Sequence, residues 1–186
     1  FTGKMSVNVN ANQYLSVRYG RNTNSQVYGV GTRATPDSWG DSVNTFNSFN
    51  MNHNWVLGGT KLNEFIFQYA DFANTILGRT SNPGQGFPNG VGIGLNANTP
   101  QTTIQHKWQF RDDFSWHIAG MGGLGHDFKV GMNMIYEPKL YVTFNSGALD
   151  YSYTHLTNDV NGPISGISRS KDGSAANLPM RQIGLY

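Results

Sequence analysis

From Thr103 to Ile118 the chain changes character at every residue. Thr103, Gln105, Lys107, Gln109, Arg111, Asp113, Ser115 and His117 are polar; Ile104, His106, Trp108, Phe110, Asp112, Phe114, Trp116 and Ile118 are mostly large and apolar. A helix would mix these two sets, whereas an extended strand puts them on opposite faces. The run is sixteen residues long, well beyond the ~5–6 residues usual for globular strands. That length and period constrain the fold more than any other feature of the chain.

The same period recurs. Phe128, Val130, Met132, Met134 and Tyr136 oppose Asp127, Lys129, Gly131 and Asn133. Val43, Phe49, Met51, Trp55 and Leu57 oppose Asn44, Ser48, Asn50, Asn52 and Asn54. Shorter runs cover Met5–Val9 and Leu15–Tyr19, Asn63–Asn74 alternates less cleanly, and Met180–Tyr186 starts a last strand. About seven strands are expected, all antiparallel.

Connections alternate too. Asn10–Gln13, Leu57–Lys61 and Gly120–Gly125 read as tight turns. Gly20–Asp41, Thr75–Gln101 and Glu137–Leu178 read as long loops, the last with an extra hairpin between Leu140–Phe144 and Leu149–Tyr153. In an up-and-down meander every second connection lies at the same end, so one end carries turns and the other carries loops. Transmembrane β-barrels have this asymmetry, while loops of this length are uncommon in compact soluble domains.

Composition supports that choice. Charged residues are only 13% of the 186, against 23 Gly, 21 Asn and 13% aromatics. Ala, Glu, Lys and Leu do not dominate, which excludes a helical bundle, and the absence of cysteine excludes a disulfide-stapled module. The aromatic content excludes disorder, and a net charge of +2 implies no nucleic-acid partner. No apolar run reaches the ~18 residues of a membrane helix. The polar faces carry amides and hydroxyls more than the Lys and Glu of a typical solvated surface. Trp55, Trp116, Tyr136 and Tyr19 are expected near strand ends, where a membrane interface would place them.

Two sets of residues follow. Arg18, Asn50, Asn52, Asn54, Gln105, Lys107, Gln109 and Arg111 are candidates to line a water-filled lumen, where they could meet sugars or peptides or form a merely solvated wall. Trp108, Phe110, Phe114, Trp116, Phe128, Val130, Met132 and Met134 are candidates to face lipid. Asp112 falls on the apolar side; either it faces lipid, or a bulge at Arg111–Asp113 turns it inward.

No residue pattern suggests an enzyme. Asp112 and Asp113 are neighbours on a strand and point apart, so they are not an acid–base pair. Ser115 and Ser146 lack a nucleophile elbow. Gly92-Ile93-Gly94 and Gly122–Gly125 read as turns rather than phosphate cradles. The five histidines show no metal-binding spacing; the closest approach to one is His117 with His126 across a glycine turn. Asp159, Asn161 and Asp172 fit a loop calcium site less well than a plain exposed loop. No catalytic residue, metal or cofactor is expected.

The stretch Gln109-Phe110-Arg111-Asp112-Asp113-Phe114-Ser115-Trp116, followed by Gly125-His126-Asp127-Phe128-Lys129-Val130-Gly131, resembles a hairpin of TonB-dependent outer-membrane receptors. Tyr136-Glu137-Pro138, Thr143-Phe144-Asn145, Tyr153-Thr154-His155-Leu156, Asn161-Gly162-Pro163-Ile164 and Gln182-Ile183-Gly184-Leu185-Tyr186 are similar to the Oar-like group, whose members carry a carboxypeptidase-regulatory-like domain. The resemblance is firmest over 102–186. It implies a barrel of about 22 strands filled by a plug, in the bacterial outer membrane. There it imports a nutrient or polymer with energy from a TonB-type protein that contacts the plug. On that basis residues 1–186 form one partial barrel domain, with plug, signal peptide and remaining strands outside this stretch. The partners expected are outer-membrane lipid, the TonB-type protein and an unidentified imported ligand. The alternative is a soluble or surface-attached carbohydrate-binding or adhesive β-sandwich.

Overall fold

The computed structural model describes residues 1–96, 98–122, 124–144, 149–153, 161–169 and 174–186. The chain is all-β and its main sheet is an antiparallel meander. Its strands are β1 (Thr2–Asn10), β2 (Gln13–Tyr28), β3 (Gly40–Val56) and β4 (Lys61–Gly78), then, beyond two short strands, β7 (Gln101–Met121) and β8 (Leu124–Phe144). Two further segments, β11 (Ser174–Asn177) and β12 (Met180–Leu185), share the outer side of β8 and are separated by Leu178-Pro179. The spatial order is β1-β2-β3-β4-β7-β8, with β11 and β12 as the last position beyond β8, and the sheet is open at both edges among the described residues. A smaller sheet pairs β10 (Ile164–Arg169), β9 (Leu149–Tyr153), β5 (Gly84–Gly86) and β6 (Gly92–Ile93), with β5 and β9 parallel.

Turns and loops segregate as expected. Asn10 Oδ1 accepts the Asn12 amide at 2.9 Å, an Asx turn that reverses the chain between β1 and β2. Gly58, at φ +69°, lets Leu57 bond Lys61 across the β3–β4 turn. The three turns do not lie level. Gln13 shares a register row with Trp55, Asn63 and Phe114; Lys61 pairs Trp116; the third turn lies further on, at Met121–Leu124. Such stagger is what tilted, sheared strands produce.

Three expectations need correction (the strand lengths, the end positions of Tyr19 and Tyr136, and one hairpin), and one open alternative is decided. The strands run far past their alternating cores: β2 reaches Tyr28, β4 reaches Gly78 and β8 reaches Phe144, so much of the expected loops is strand. On β2 both faces are polar there (Asn22, Thr23, Asn24, Ser25), and so hydrophobic alternation carries no signal. For the same reason Tyr19 and Tyr136 lie in mid-strand rather than near strand ends. The Leu140–Phe144 and Leu149–Tyr153 hairpin does not form; the first segment ends β8, and the second pairs β10 and β5 in the other sheet. Finally, pairing is regular through Arg111–Asp113. The bulge lies instead where His106 and Trp108 oppose Lys139 and Tyr136, so that Glu137-Pro138 face Lys107 alone. Pro138 has no N–H for the ladder, which is why the extra residue sits there.

No second sheet packs across either face of the main sheet among the described residues. Ile76 and Phe87 are the only buried hydrophobic side chains in this set. Layered domains are held together around a shared apolar core; among the described residues this sheet shows none.

Candidate functional site

The register sorts the two predicted sets onto opposite faces. Arg18, Asn50, Asn52, Asn54, Gln105, Lys107, Gln109 and Arg111 all lie on the polar face; Trp108, Phe110, Phe114, Trp116, Phe128, Val130, Met132 and Met134 all lie on the other.

On the apolar face the side chains form rows across the strands. One row runs Val17, Met51, Phe67, Phe110, Met134, Ile183. The next, toward the loop end, runs Tyr19, Phe49, Tyr69, Trp108, Tyr136. Rings meet between strands: Tyr69 and Trp108 at 4.4 Å between centroids, Phe67 and Phe110 at 5.0 Å, and Trp116 stacked on Phe128 at 5.3 Å. Such cross-strand pairs stabilise a sheet by roughly 0.2–1 kcal/mol each. They do not remove the face from its surroundings, since Phe128 stays 44% exposed and Ile183 64%.

Immediately loopward of the aromatic row is a polar one. Arg21 Nη1 and Tyr19 Oη both donate to Asn47 Oδ1 (3.4 and 3.2 Å), Asn47 Nδ2 donates to Asp71 Oδ2 (3.2 Å), and His106 Nε2 lies 3.4 Å from Asp71 Oδ1. Arg181 covers the Tyr136 ring at 4.9 Å and Lys139 the Tyr141 ring at 5.5 Å. The apolar band therefore ends in an aromatic row topped by a hydrogen-bonded polar belt. On β7 the band spans Trp108 to Trp116 and on β8 Phe128 to Tyr136, nine residues each. A tilted membrane strand needs ~9–11.

Asp112 stays on the apolar face, without a bulge, and accepts a bond from Asn63 Nδ2 at 2.8 Å. Asp113 points the other way and is 3% exposed. Its carboxylate takes Arg111 Nη2 at 2.5 Å, Lys129 Nζ at 2.9 Å and Tyr186 Oη at 2.5 Å. Gly131 makes this possible: a Cβ there would stand 2.5 Å from Asp113 Oδ1 and 2.7 Å from the Tyr186 ring. Of this cluster the sequence reading picked out Arg111 alone. The alternation phase puts Asp113, Lys129 and Arg111 on one face, but only the register brings them together.

His117 and His126 do not meet. His117 pairs Asp127, with Nδ1 2.7 Å from its carboxylate, while His126 pairs Ile118 and so falls on the opposite face. No group of three or more metal-ligating side chains forms among the described residues. Of the loop calcium candidates, Asp159 and Asp172 lie outside the described residues.

At the loop end the connections 29–39 and 79–100 are tied together. Asp37 accepts the Thr35 hydroxyl and the Gly94 amide (3.1 Å), and these bonds, the Thr35 one foremost, hold its carboxyl below the usual aspartate value. Arg79 grips Asp41 at 2.6 Å and lowers its pKa in the same way, while stacking on Trp39 at 5.7 Å.

No known protein family, no curated protein and no solved structure matches this chain.

Proposed function

We propose that this chain is part of the wall of a membrane-spanning β-barrel, of the TonB-dependent outer-membrane receptor type and Oar-like group, and takes no part in bond-making chemistry. Its apolar face meets lipid, its polar face lines a wetted lumen, and its loop end faces outward. The function is energised uptake of a nutrient or polymer, with this stretch supplying wall, lumen lining and outer loops.

The observation that carries this reading is the uncovered apolar face, bounded on one side by an aromatic row and a polar belt. Exposed apolar patches on soluble monomers are typically a few hundred Å² at most. This one extends across six strand positions. In a bilayer the same face is solvated by hydrocarbon, and the aromatic row lies at the depth where interfacial girdles stand. The narrow motifs in 102–186 support the family; the staggered turns and the segregated loops support a barrel.

Among the described residues Asp112 is the one carboxylate inside the band. It sits four residues from each of the border residues Trp108 and Trp116, at the middle of the band, where a charge facing lipid costs most. Asn63 Nδ2 donates to it and offsets part of that cost.

Cell fractionation tests the proposal. The protein is expected to sediment with outer membranes and to need detergent for extraction. Recovery as a soluble monomer from buffer alone would refute it.

A further inference from the structure

The polar face carries two large apolar rings that the wall reading does not use. Phe46 and Phe72 are register partners on β3 and β4, on the same face as Arg18 and Asn50. Phe46 is 41% exposed. Directly loopward, three asparagines form a ladder across three strands: Asn44 Nδ2 donates to Asn24 Oδ1 at 2.9 Å, and Asn74 Nδ2 donates to Asn44 Oδ1 at 2.7 Å. Each carboxamide offers two donor hydrogens and two acceptor lone pairs. The ladder occupies part of that capacity and fixes the orientation of the rest.

A cleft of 310 Å³ opens beside Phe46, lined also by Phe1, Thr2, Arg21, Asn22 and Ser48. It exists because Gly20 has no side chain; a Cβ there would come within 3.1 Å of Ser48 Oγ. The volume lies at the lower end of the ~300–1,000 Å³ typical of ligand sites. Over the register rows from Asn24 to Gly20, the charged side chain of this face that reaches solvent is half-buried Lys107, at its far corner; Arg21, which borders the cleft, turns its guanidinium to Asn47 on the opposite face. Glu137, beside Lys107 at the bulge, is buried and accepts Gln105 Nε2 at 3.4 Å.

We infer that Phe46, Phe72 and the Asn24–Asn44–Asn74 ladder form a binding subsite for a neutral oligosaccharide. The ring faces bury the C–H surface of a sugar, which is apolar. The pre-oriented amides exchange hydrogen bonds with its hydroxyls, which are both donors and acceptors. A peptide presents charged termini and side chains, for which this patch offers no matching set of counter-charges. The inference rests on the wall reading only in that the polar face must be wet.

The test is binding of the detergent-purified protein to a panel of neutral glucans, mannans, galactans and xylans, followed by calorimetry on the best glycan, with a neutral heptapeptide in parallel. Binding of at least one glycan is expected, weakened tenfold or more in Phe46→Ser and in Asn44→Leu, and retained in Phe46→Tyr. Circular dichroism confirms that each variant folds. No glycan bound, equal affinity in Phe46→Ser, or binding of the peptide in preference to every glycan would overturn it. Fractionation of the same preparations reports on the wall reading separately, so the two can fail independently.

Discussion

The strands of the main sheet have two halves of unlike character. From the turns to the Tyr19–Tyr136 row, one face is mostly apolar, broken by His53, Asn63 and Asp112, and the other is mostly polar. Beyond the Arg21–Asp71 belt the same strands continue, but their formerly apolar face changes to Thr23, Thr45, Ala73, Ile104 and Tyr141. The hydrogen-bond ladder runs through both halves without a break between β2 and β7. Backbone pairing is thus indifferent to the surroundings, and only the side chains register where they change. Within one register row the aromatic rings give way to the hydrogen-bonded polar belt, the change that the proposed crossing from hydrocarbon into water calls for.

The sharpest way to break this comparison is to place one charge in each half. Val130→Arg puts a guanidinium inside the apolar band, two residues in from its border at Phe128, and is expected to cost up to about 2–4 kcal/mol. Thr45→Arg, on the same face but beyond the belt, is expected to change stability by under about 0.5 kcal/mol. Urea titration of the protein folded in lipid vesicles measures both, and equal effects would erase the distinction between the halves.

The next effect belongs to the polar face of the lower half. Gly131→Val drives side-chain atoms into Asp113 and Tyr186, and overpacking of this kind typically costs about 1–3 kcal/mol. The same titration checks it. If the variant is as stable as the parent, Asp113 is not held as tightly as its three partners indicate.

The smallest effect is expected in the loop lobe beyond the upper half. Asp37 and Asp41 both have carboxyl groups with pKa values lowered in the folded state. Their contribution is therefore present above the ordinary aspartate value, near pH 4, and is lost as pH falls through the lower folded values. Acidification below about pH 4 should raise amide exchange in 29–39 and 79–100 before it affects β7 and β8. Simultaneous loss in both places would show that the lobe is not tied by these carboxylates.

The lower half was legible in the sequence and the upper half was not, for one physical reason. Alternation reports a strand only where its two faces meet different surroundings. Trp108 to Trp116 and Phe128 to Tyr136 alternate cleanly, and the register puts the two predicted sets of eight on opposite faces. Asn22 to Gln26 meet water on both sides and read as loop. Phe46 and Phe72 were overlooked as part of the polar face, although their even numbering has the phase of Asn44 and Asn74. Being apolar, they blurred the pattern instead of extending it. The Asp113 cluster, the bulge at Glu137-Pro138 and the second sheet depend on long-range register, which no local pattern encodes.

The most direct measurement uses the absence of cysteine from the chain. Single cysteines at successive positions from 127 to 135, each carrying an environment-sensitive fluorophore, are placed in the protein in lipid vesicles and challenged with a lipid-soluble and a water-soluble quencher. Lipid quenching should peak at 128, 130, 132 and 134, and aqueous quenching at 127, 129, 131, 133 and 135. Uniform aqueous quenching across all nine positions, or shielding of the even ones from both quenchers, would contradict an apolar face that looks into hydrocarbon.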